Sequence, residues 1–599
     1  MKSGFFSSLL YVLSFCILSF SAWSQTRAGE EYERNYFRNP LGIPMLLSAN
    51  FGELRTDHWH MGLDIRTNRK ENYRVYAAAD GYIAFAGVRP LSFGRFLIIN
   101  HPNGLSTLYA HLKEFSPQLE EYVVRQQKQR ESWAVELTIP EKTFPVRKGD
   151  LIAYSGNTGG SQGPHLHFEI RKTATGECLN PLMFDFGIKD EVPPVFARLA
   201  MYDRGISIYE QKPALFTVKK TDSGYFTVPQ LIISRKNKIS FAIEAYDKVS
   251  NSANPQGIYS ASFFWDEKPV TGFELKKIKY GETLYMNAHI DYSYKSGGGP
   301  YLQHLSKLPG DRSSVYFSEG GSGIIELRDT NRHRVRIQIN DVYGNASHLH
   351  FMVQYRGNPD TPSVTPPDNN RFVPGIVNVF RKEDFEVYTT ENSLYDTVAL
   401  QYQRFDSMPE GAVTFLHRFH NPSVPVHDPF TVRIRPAVSV SEKFKTKTVM
   451  IRTWSGERSV RKAVWEGEWL TARFGDFGHY QAFIDSIPPS INNPGPVEKN
   501  DTLDLSRSTR IVFTPSDNFG IRSFRAELNG KWLMFSNDKA KSFIYVFDGQ
   551  CPYGVHHLKV KAEDLAGNIT EKTWIFKRYE YRPPVKRKPA ARKSTSKKK

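Results

Sequence analysis

The segment Gly163-Pro164-His165-Leu166-His167-Phe168-Glu169 constrains this chain more than any other part of it. In an extended segment, residues two apart point to the same face, so His165 and His167 enter one pocket together. About a hundred residues earlier stands His60-Met61-Gly62-Leu63-Asp64, and between the two lies Leu108-Tyr109-Ala110-His111. Histidine and aspartate are ligands for a borderline metal such as zinc, and three protein ligands with one open position define a catalytic rather than a structural zinc site. One histidine of the later pair can bind the metal while the other stays free for proton transfer or oxyanion stabilisation. A lone histidine on a strand is more often an ordinary hydrogen-bonded residue. The three motifs together outweigh that reading.

From about Asn50 to Phe184 the chain resembles the LytM/lysostaphin-type zinc metallopeptidases, which cut peptide cross-bridges in bacterial cell walls. His60 and Asp64 match that family's His-x-x-x-Asp pair, His111 its Tyr-x-His-Leu strand, and His165 with His167 its His-x-His strand. Val75 to Gly81 resembles its hairpin, and Lys148 to Ala153 the strand before its last motif. The resemblance implies an antiparallel β catalytic domain holding one Zn2+ per chain on His60, Asp64 and His167, with His111 and His165 as the catalytic pair. It implies hydrolysis of the peptide cross-links of peptidoglycan, with D-alanyl–diaminopimelate bridges the expected bond. Some members of the family instead activate a partner amidase without hydrolysis, and these typically lack a zinc ligand; here none is missing. A third reading is an adhesin whose β modules carry the main function. Asn50 and Arg55 resemble groove-lining positions, and Gly159-Gly160-Ser161-Gln162 is a loop flexible enough to let a substrate backbone approach. The departure from the family is an insertion, Lys113 to Phe144. Its Gln118–Arg130 stretch, free of Gly and Pro, predicts a helix and Trp133–Ile139 a strand. Leaving the chain straight after His111, it is expected to border the substrate groove.

At 599 residues the chain exceeds a single core, which stops growing near ~250–300 residues. Met1-Lys2, the apolar run Gly4–Phe20 and the small residues around Ala22-Trp23-Ser24 predict a signal peptide over 1–24 and a mature start at Gln25. Phe15 before Cys16 and the apolar residues after it argue against a lipoprotein. No later segment approaches the ~20 apolar residues of a membrane span. The expected location is the periplasm or cell envelope of a Gram-negative bacterium. After cleavage only Cys178 and Cys551 remain, so this is no disulfide scaffold. The net charge is +17, and Lys577–Lys599 carries eleven Lys or Arg against one Glu. Such a tail reads as disordered; export excludes nucleic acid as its partner and leaves an anionic envelope surface, or plain solvation.

Beyond the first domain (25–187), proline pairs at Pro193-Pro194, Pro366-Pro367 and Pro488-Pro489 precede alternating runs rich in Val, Ile, Phe and Tyr. These predict β-sandwich modules joined by stiff linkers. Strands ending in Asp247, Asp341 and Asp564, the last two followed by Tyr343-Gly344-Asn345 and Ala566-Gly567-Asn568, resemble the late strand and turn of bacterial immunoglobulin-like modules. Their aspartates could ligate calcium, although closing their own turn is the commoner use. The expected fold is mainly β, with sandwiches at 190–275, 276–359 and 488–577, a β-rich domain at 369–484 and the basic tail at 578–599. His58-Trp59-His60 and Ser347-His348-Leu349-His350-Phe351 copy the ligand motifs without their partners. His58 is expected in the groove or behind a ligand, the second copy in the closing strand of a sandwich, and His101 in a hairpin turn.

Overall fold

The computed structural model describes residues 32–33, 35–249, 254–318, 321–357, 370–495 and 502–580. The expected signal peptide and the tail beyond residue 580 lie outside the described residues. The protein is mainly β. Its first domain comprises β1 (Leu47–Ala49), β2 (Leu63–Arg66), β3 (Arg74–Tyr76), β4 (Gly81–Val88), β5 (Arg95–Asn100), β6 (Leu105–Ala110), β7 (Leu112–Phe115), β8 (Val135–Thr138), β9 (Pro145–Val146), β10 (Leu151–Ser155), β11 (His165–Lys172) and β12 (Cys178–Leu179), with one helix, α1 (Pro117–Gln129).

The main sheet runs β1-β2-β11-β6-β5-β4-β8 with antiparallel pairing throughout, and β3-β10-β7 forms a smaller sheet. Alternation decides what each face does. Leu166, Phe168 and Ile170 of β11 are buried with Leu63, Ile65, Leu97 and Ile99 of the main sheet and with Val75 and Ile152 of the smaller one. Each such side chain contributes about 1.5–3 kcal/mol on burial. The opposite face of β11 is left to His165, His167 and Glu169.

The insertion forms both expected elements. Pro117 opens α1, where its missing N–H costs nothing, and Leu119, Val123 and Gln127, four apart, are the buried stripe. β8 extends the main sheet at the edge beyond β4, four inter-strand steps from β11 or about 19 Å at ~4.8 Å per step. The insertion is therefore spread out: β8 lies at that far edge, whereas Lys113–Phe115 continue from His111 as β7 and pair with β10. Val135, Leu137 and Ile139 belong to the domain core, and burying them draws the excursion to the far edge. The helix is linked to the site as well: Glu120 pairs with Arg95, whose backbone N–H donates to Thr158 Oγ1 (3.0 Å).

The next module is not two sandwiches. Strands from Val195–Asp203 to Ala346–Tyr355 belong to one eleven-stranded sheet around one core. Gly224–Ser234 pairs in parallel with Ala346–Tyr355, and Ser260–Trp265 pairs with Arg332–Asn340. Each side of the expected boundary at 275/276 thus completes the hydrogen-bond ladders of the other, so 190–275 and 276–359 form one body. The His348–His350 copy of the ligand motif sits, as expected, in the last strand of this module in chain order, Ala346–Tyr355, which lies in the interior of the sheet. Residues 370–485 form two five-stranded sheets sharing a core, with Phe385, Val432 and Leu470 from one and Phe419, Met450 and Tyr480 from the other, and a two-stranded pair, Arg371–Phe372 with Val398–Ala399. The last module, from Thr502, packs a five-stranded and a two-stranded sheet around Phe513, Val560 and Phe576. No helix among the described residues is long and apolar enough to cross a membrane.

The first domain does not close on itself. β12 pairs onward with Lys277–Ile278, and Phe51, Trp59 and Met61 lie in the core of the middle module beside Phe273 and Leu275. Trp59 is fully buried there, its ring 5.5 Å from His289. A chain ending at residue 187 is therefore expected to aggregate or to lack fixed packing in circular dichroism and limited proteolysis, whereas one ending at 357 folds. Trp59→Ala in the full chain should cost the unfolding transition of this unit about 3–5 kcal/mol in a denaturant titration.

Candidate metal centre

The ladder itself assembles the site. β11 pairs with β2 in the register His167↔Asp64 and with β6 in the register His167↔Ala110, so the residue after Ala110 also arrives beside His167. His60 precedes β2 in a segment pinned by Gly52 N–H to His60 O and His60 N–H to Glu53 O, both 2.8 Å. Gly62 allows the close approach to β11, since a Cβ there would lie 2.4 Å from Phe168 O.

His60 Nε2 and His167 Nδ1 lie 3.1 Å apart, and each is 3.0 Å from Asp64 Oδ1. All three residues are buried. The other ring nitrogens are committed: His60 Nδ1–H donates to Asn50 O (2.7 Å) and His167 Nε2–H to Glu169 Oε1 (2.8 Å). Arg55 Nη2 donates to Asp64 Oδ2 (2.8 Å), leaving Oδ1 to face the imidazoles. Two imidazole lone pairs and a carboxylate oxygen thus converge on one buried point, an arrangement that calls for a cation between them. Two histidines and one aspartate, each oriented by an outer partner, fit zinc.

The electrostatics follow from that crowding. Burial opposes charge on Asp64, yet His60, His165 and His167 hold its carboxyl well below the ordinary range. Burial pushes the His60 imidazole down. It also opposes charge on His167, but hydrogen bonds to Asp64 and Glu169 raise that imidazole to about 9. Glu169, fully buried, is held at about 2 against its desolvation by Arg171 and His167. Its Oε1 also accepts from Tyr280 OH (2.5 Å), and its Oε2 accepts from Arg171 Nε (2.6 Å) and Cys178 Sγ (3.3 Å).

His111 and His165 stand on the open side, ring centroids 4.7 Å apart. His111 takes a left-handed backbone (φ 59°), uncommon for a residue with a Cβ, and its N–H donates to Phe93 O (2.9 Å). Its Nδ1–H donates to Thr158 O (2.8 Å), and burial pushes its imidazole down to about 3. His165 Nδ1 donates to Gly163 O (2.8 Å) and lies 3.2 Å from Ser161 Oγ; its Nε2 is 3.4 Å from Asp64 Oδ1. The loop carrying Thr158 and Ser161 is clamped from outside. Gly159 (φ 70°) abuts Gly94 so closely that a Cβ would lie 2.3 Å from Gly94 N. Its N–H donates to Asp538 Oδ1 (2.8 Å), and Lys539 Nζ donates to Ser161 O (2.5 Å), both from the last module.

The structure thus brings His60, Asp64, His111, His165 and His167 into one site. Asn50 is not in the groove: its side chain is bound to both backbone polar groups of Gly257 in the middle module. Arg55 holds a ligand carboxylate, and His58 is exposed and paired with Asp57. His101 is buried between Asp80 O and Thr107 Oγ1. Cys178 and Cys551 are both free and buried. Glu169 and Arg171 were not foreseen, although the period of two that pairs His165 with His167 continues to both. Tyr280 had no local signal.

Residues 58–129 and 138–181 match the model of Peptidase family M23, and residues 370–485 match that of a Zu5-like domain. DD-carboxypeptidase/endopeptidase Mpg of Neisseria meningitidis serogroup B is 36% identical over 129 residues, 22% of this chain and 23% of that protein. Murein hydrolase activator NlpD of Salmonella dublin is 30% identical over 135 residues, 22% of this chain and 28% of that protein. The chain therefore spans under a third of the length of either relative. A zinc containing peptidase from Vibrio cholerae is 27% identical over 23% of this chain and 37% of that one, at a TM-score of 0.17, too low to carry weight. The chain carries an M23 peptidase domain, LytM-type, in its first part and a Zu5-like domain in its third.

Glu169→Gln keeps the shape of the residue that orients His167 but not its charge. It should weaken zinc binding about 10–100-fold, read by competition with a chromogenic chelator, with the fold retained by circular dichroism.

Proposed function

We propose that the M23 domain is a zinc endopeptidase that hydrolyses peptide cross-links of peptidoglycan, with D-alanyl–diaminopimelate bridges as the bond cut. The observation that carries this reading is the complete donor set of His60, Asp64 and His167 with two further imidazoles facing it. The names of the relatives, a DD-carboxypeptidase/endopeptidase among them, support the substrate class. Bound zinc would polarise the scissile carbonyl and lower the pKa of a water toward ~7.

The chain's own groups divide the remaining work. His111 donates from Nδ1 to Thr158 O, which leaves the Nε2 lone pair to accept a proton from the attacking water. His165, whose Nε2 lies 3.4 Å from Asp64 Oδ1, is the second imidazole on that side and is assigned the contact to the developing oxyanion. Arg55 and Glu169 hold Asp64 and His167 in place. A relative named as a hydrolase activator keeps the second reading alive, activation of an amidase without hydrolysis. The intact ligand set favours catalysis over it.

Alanine at His60, Asp64 or His167 should abolish zinc content and activity together, measured by elemental analysis and by mass spectrometry of digested peptidoglycan. His111→Ala should lose activity by two or more orders of magnitude and keep its zinc. Full activity in a metal-free Asp64→Ala protein would end this reading. Asp538→Ala with Lys539→Ala frees the loop that positions His111 and His165, and is expected to lower turnover several-fold with zinc content unchanged.

The protein is proposed to be exported and to act in the cell envelope. Lys577 and Arg578 belong to the last strand, Ile569–Arg578, rather than to the tail; the segment beyond residue 580, with nine Lys or Arg and no acidic residue, would hold it near anionic envelope material over roughly a Debye length, ~8 Å at physiological salt. Removing Pro583–Lys599 should weaken sedimentation with envelopes at low salt and change little at high salt, while turnover on a small soluble peptide stays the same.

A further inference from the structure

Two junctions in this chain share one construction. Asp190, Asp247 and Asp341 meet where the first domain joins the middle module; Asp485, Asp517 and Asp564 meet where the Zu5-like domain joins the last one. In each trio one carboxylate oxygen per residue lies within 4.8 Å of the others. Asn345 Nδ2 donates to Asp190 O (3.1 Å) and Asp341 Oδ2 (2.6 Å), as Asn568 Nδ2 does to Asp485 O (2.9 Å) and Asp564 Oδ2 (2.8 Å). Ser347 Oγ donates to Pro194 O and Thr570 Oγ to Pro489 O, both 2.6 Å. These bonds explain the turns after Asp341 and Asp564. They do not explain why further carboxylates gather there.

The first junction differs from the second in its compensation. Lys447 and Lys462 donate to Gly567 O and Ala566 O, on the turn after Asp564. The matching turn after Asp341 receives no lysine among the described residues. Asp190, Asp247 and Asp341 are all more than nine-tenths buried. Beside them stands Gln256, 3% exposed, with neither amide atom hydrogen-bonded among the described residues. Asp247 and Gln256 exchange backbone hydrogen bonds of 2.9 Å in both directions, so they are directly opposed and their side chains share a face. Asp247 Oδ1 likewise has no partner. A buried, unbonded amide opposite Asp247, and three buried carboxylates brought together, each cost free energy.

We propose that Asp190, Asp247, Asp341 and Gln256 bind a calcium ion at the junction of the M23 domain and the middle module. Hard oxygen donors, carboxylate and amide with no His or Cys, are what calcium takes, in sets of six to eight completed by carbonyls and water. Burial, then Asp341 and Asp190, push the Asp247 carboxyl up to about 8, so a cation among these carboxylates would be favoured. The ion is coupled to the metal centre through a short chain. Gly257, next to Gln256, donates to Asn50 Oδ1 (3.0 Å) and accepts from Asn50 Nδ2 (2.8 Å), and Asn50 O orients His60. A small cavity at this junction is lined by Asn50, Phe51 and Asn180 on one side and by Asp247, Asp341 and Tyr343 on the other.

The test uses the full chain, stripped of metal, reloaded with one equivalent of zinc and titrated with CaCl2 by calorimetry and thermal unfolding. Calcium should bind one site and raise the melting temperature of the first transition by several degrees. Asp247→Asn with Asp341→Asn should lose at least tenfold in calcium affinity, and Gln256→Met should lose less but measurably. Without calcium the double variant should melt above the wild type, because buried like charges have been removed. His60→Ala, deficient at the zinc centre, should keep the calcium response, which separates this site from that one. No heat and no thermal shift up to millimolar calcium, or an unchanged affinity in both the double variant and Gln256→Met, would overturn the proposal.

Discussion

The hydrogen-bond ladder that seats β11 between β2 and β6 is the constraint on which the metal centre depends. It sets His167 opposite Asp64 on one side and Ala110 on the other, so no loop has to find the ligands' relative position. A one-residue slip would turn His165, His167 and Glu169 into the core and Leu166 and Phe168 out to solvent. The apolar face of β11 therefore enforces the placement of its polar face. Burial of Leu166, Phe168 and Ile170 is what makes the register unaffordable to lose.

That polar face carries a row of charges which burial alone would penalise. The row holds because every member has a partner: Arg55 on Asp64, Asp64 and Glu169 on His167, and Arg171 and Tyr280 on Glu169. Removing one partner from such a set leaves an uncompensated buried charge, which costs far more than an exposed pair contributes. The outermost member, Tyr280, comes from the middle module. Thr283 Oγ1 accepts from Trp59 N–H (3.1 Å) and Tyr301 OH donates to Arg55 O (3.0 Å), also from there. The M23 domain and the middle module are thus one working unit, while the last module touches the opposite side of the site through Asp538 and Lys539.

The convergence of His60, Asp64 and His167, the mainly β architecture and both elements of the insertion were legible in the sequence. Each is written in short-range pattern: a His-x-His alternation, a His-x-x-x-Asp spacing, a stripe at Leu119, Val123 and Gln127. Glu169 and Arg171 were legible in principle, because the same alternation runs through them. What local pattern could not convey is which strands pair across long separations. Ser260–Trp265 and Arg332–Asn340 read as belonging to separate sandwiches, yet they are neighbours in one sheet.

By itself, then, the sequence determined which donor side chains share a face, since periodicity of two and the identity of the side chains select them. The tertiary structure alone decided how those donors are supported. Tyr280 reaches Glu169 across 111 residues and Asp538 reaches Gly159 across 379, and nothing in a local window encodes either contact. It also decided that Trp59, one residue from His60, is buried in the next module, and that β8 of the insertion lies at the far edge of the sheet. The physical reason is the same in both cases: an apolar side chain goes to whichever core removes it from water, and only the assembled fold establishes which core is nearest.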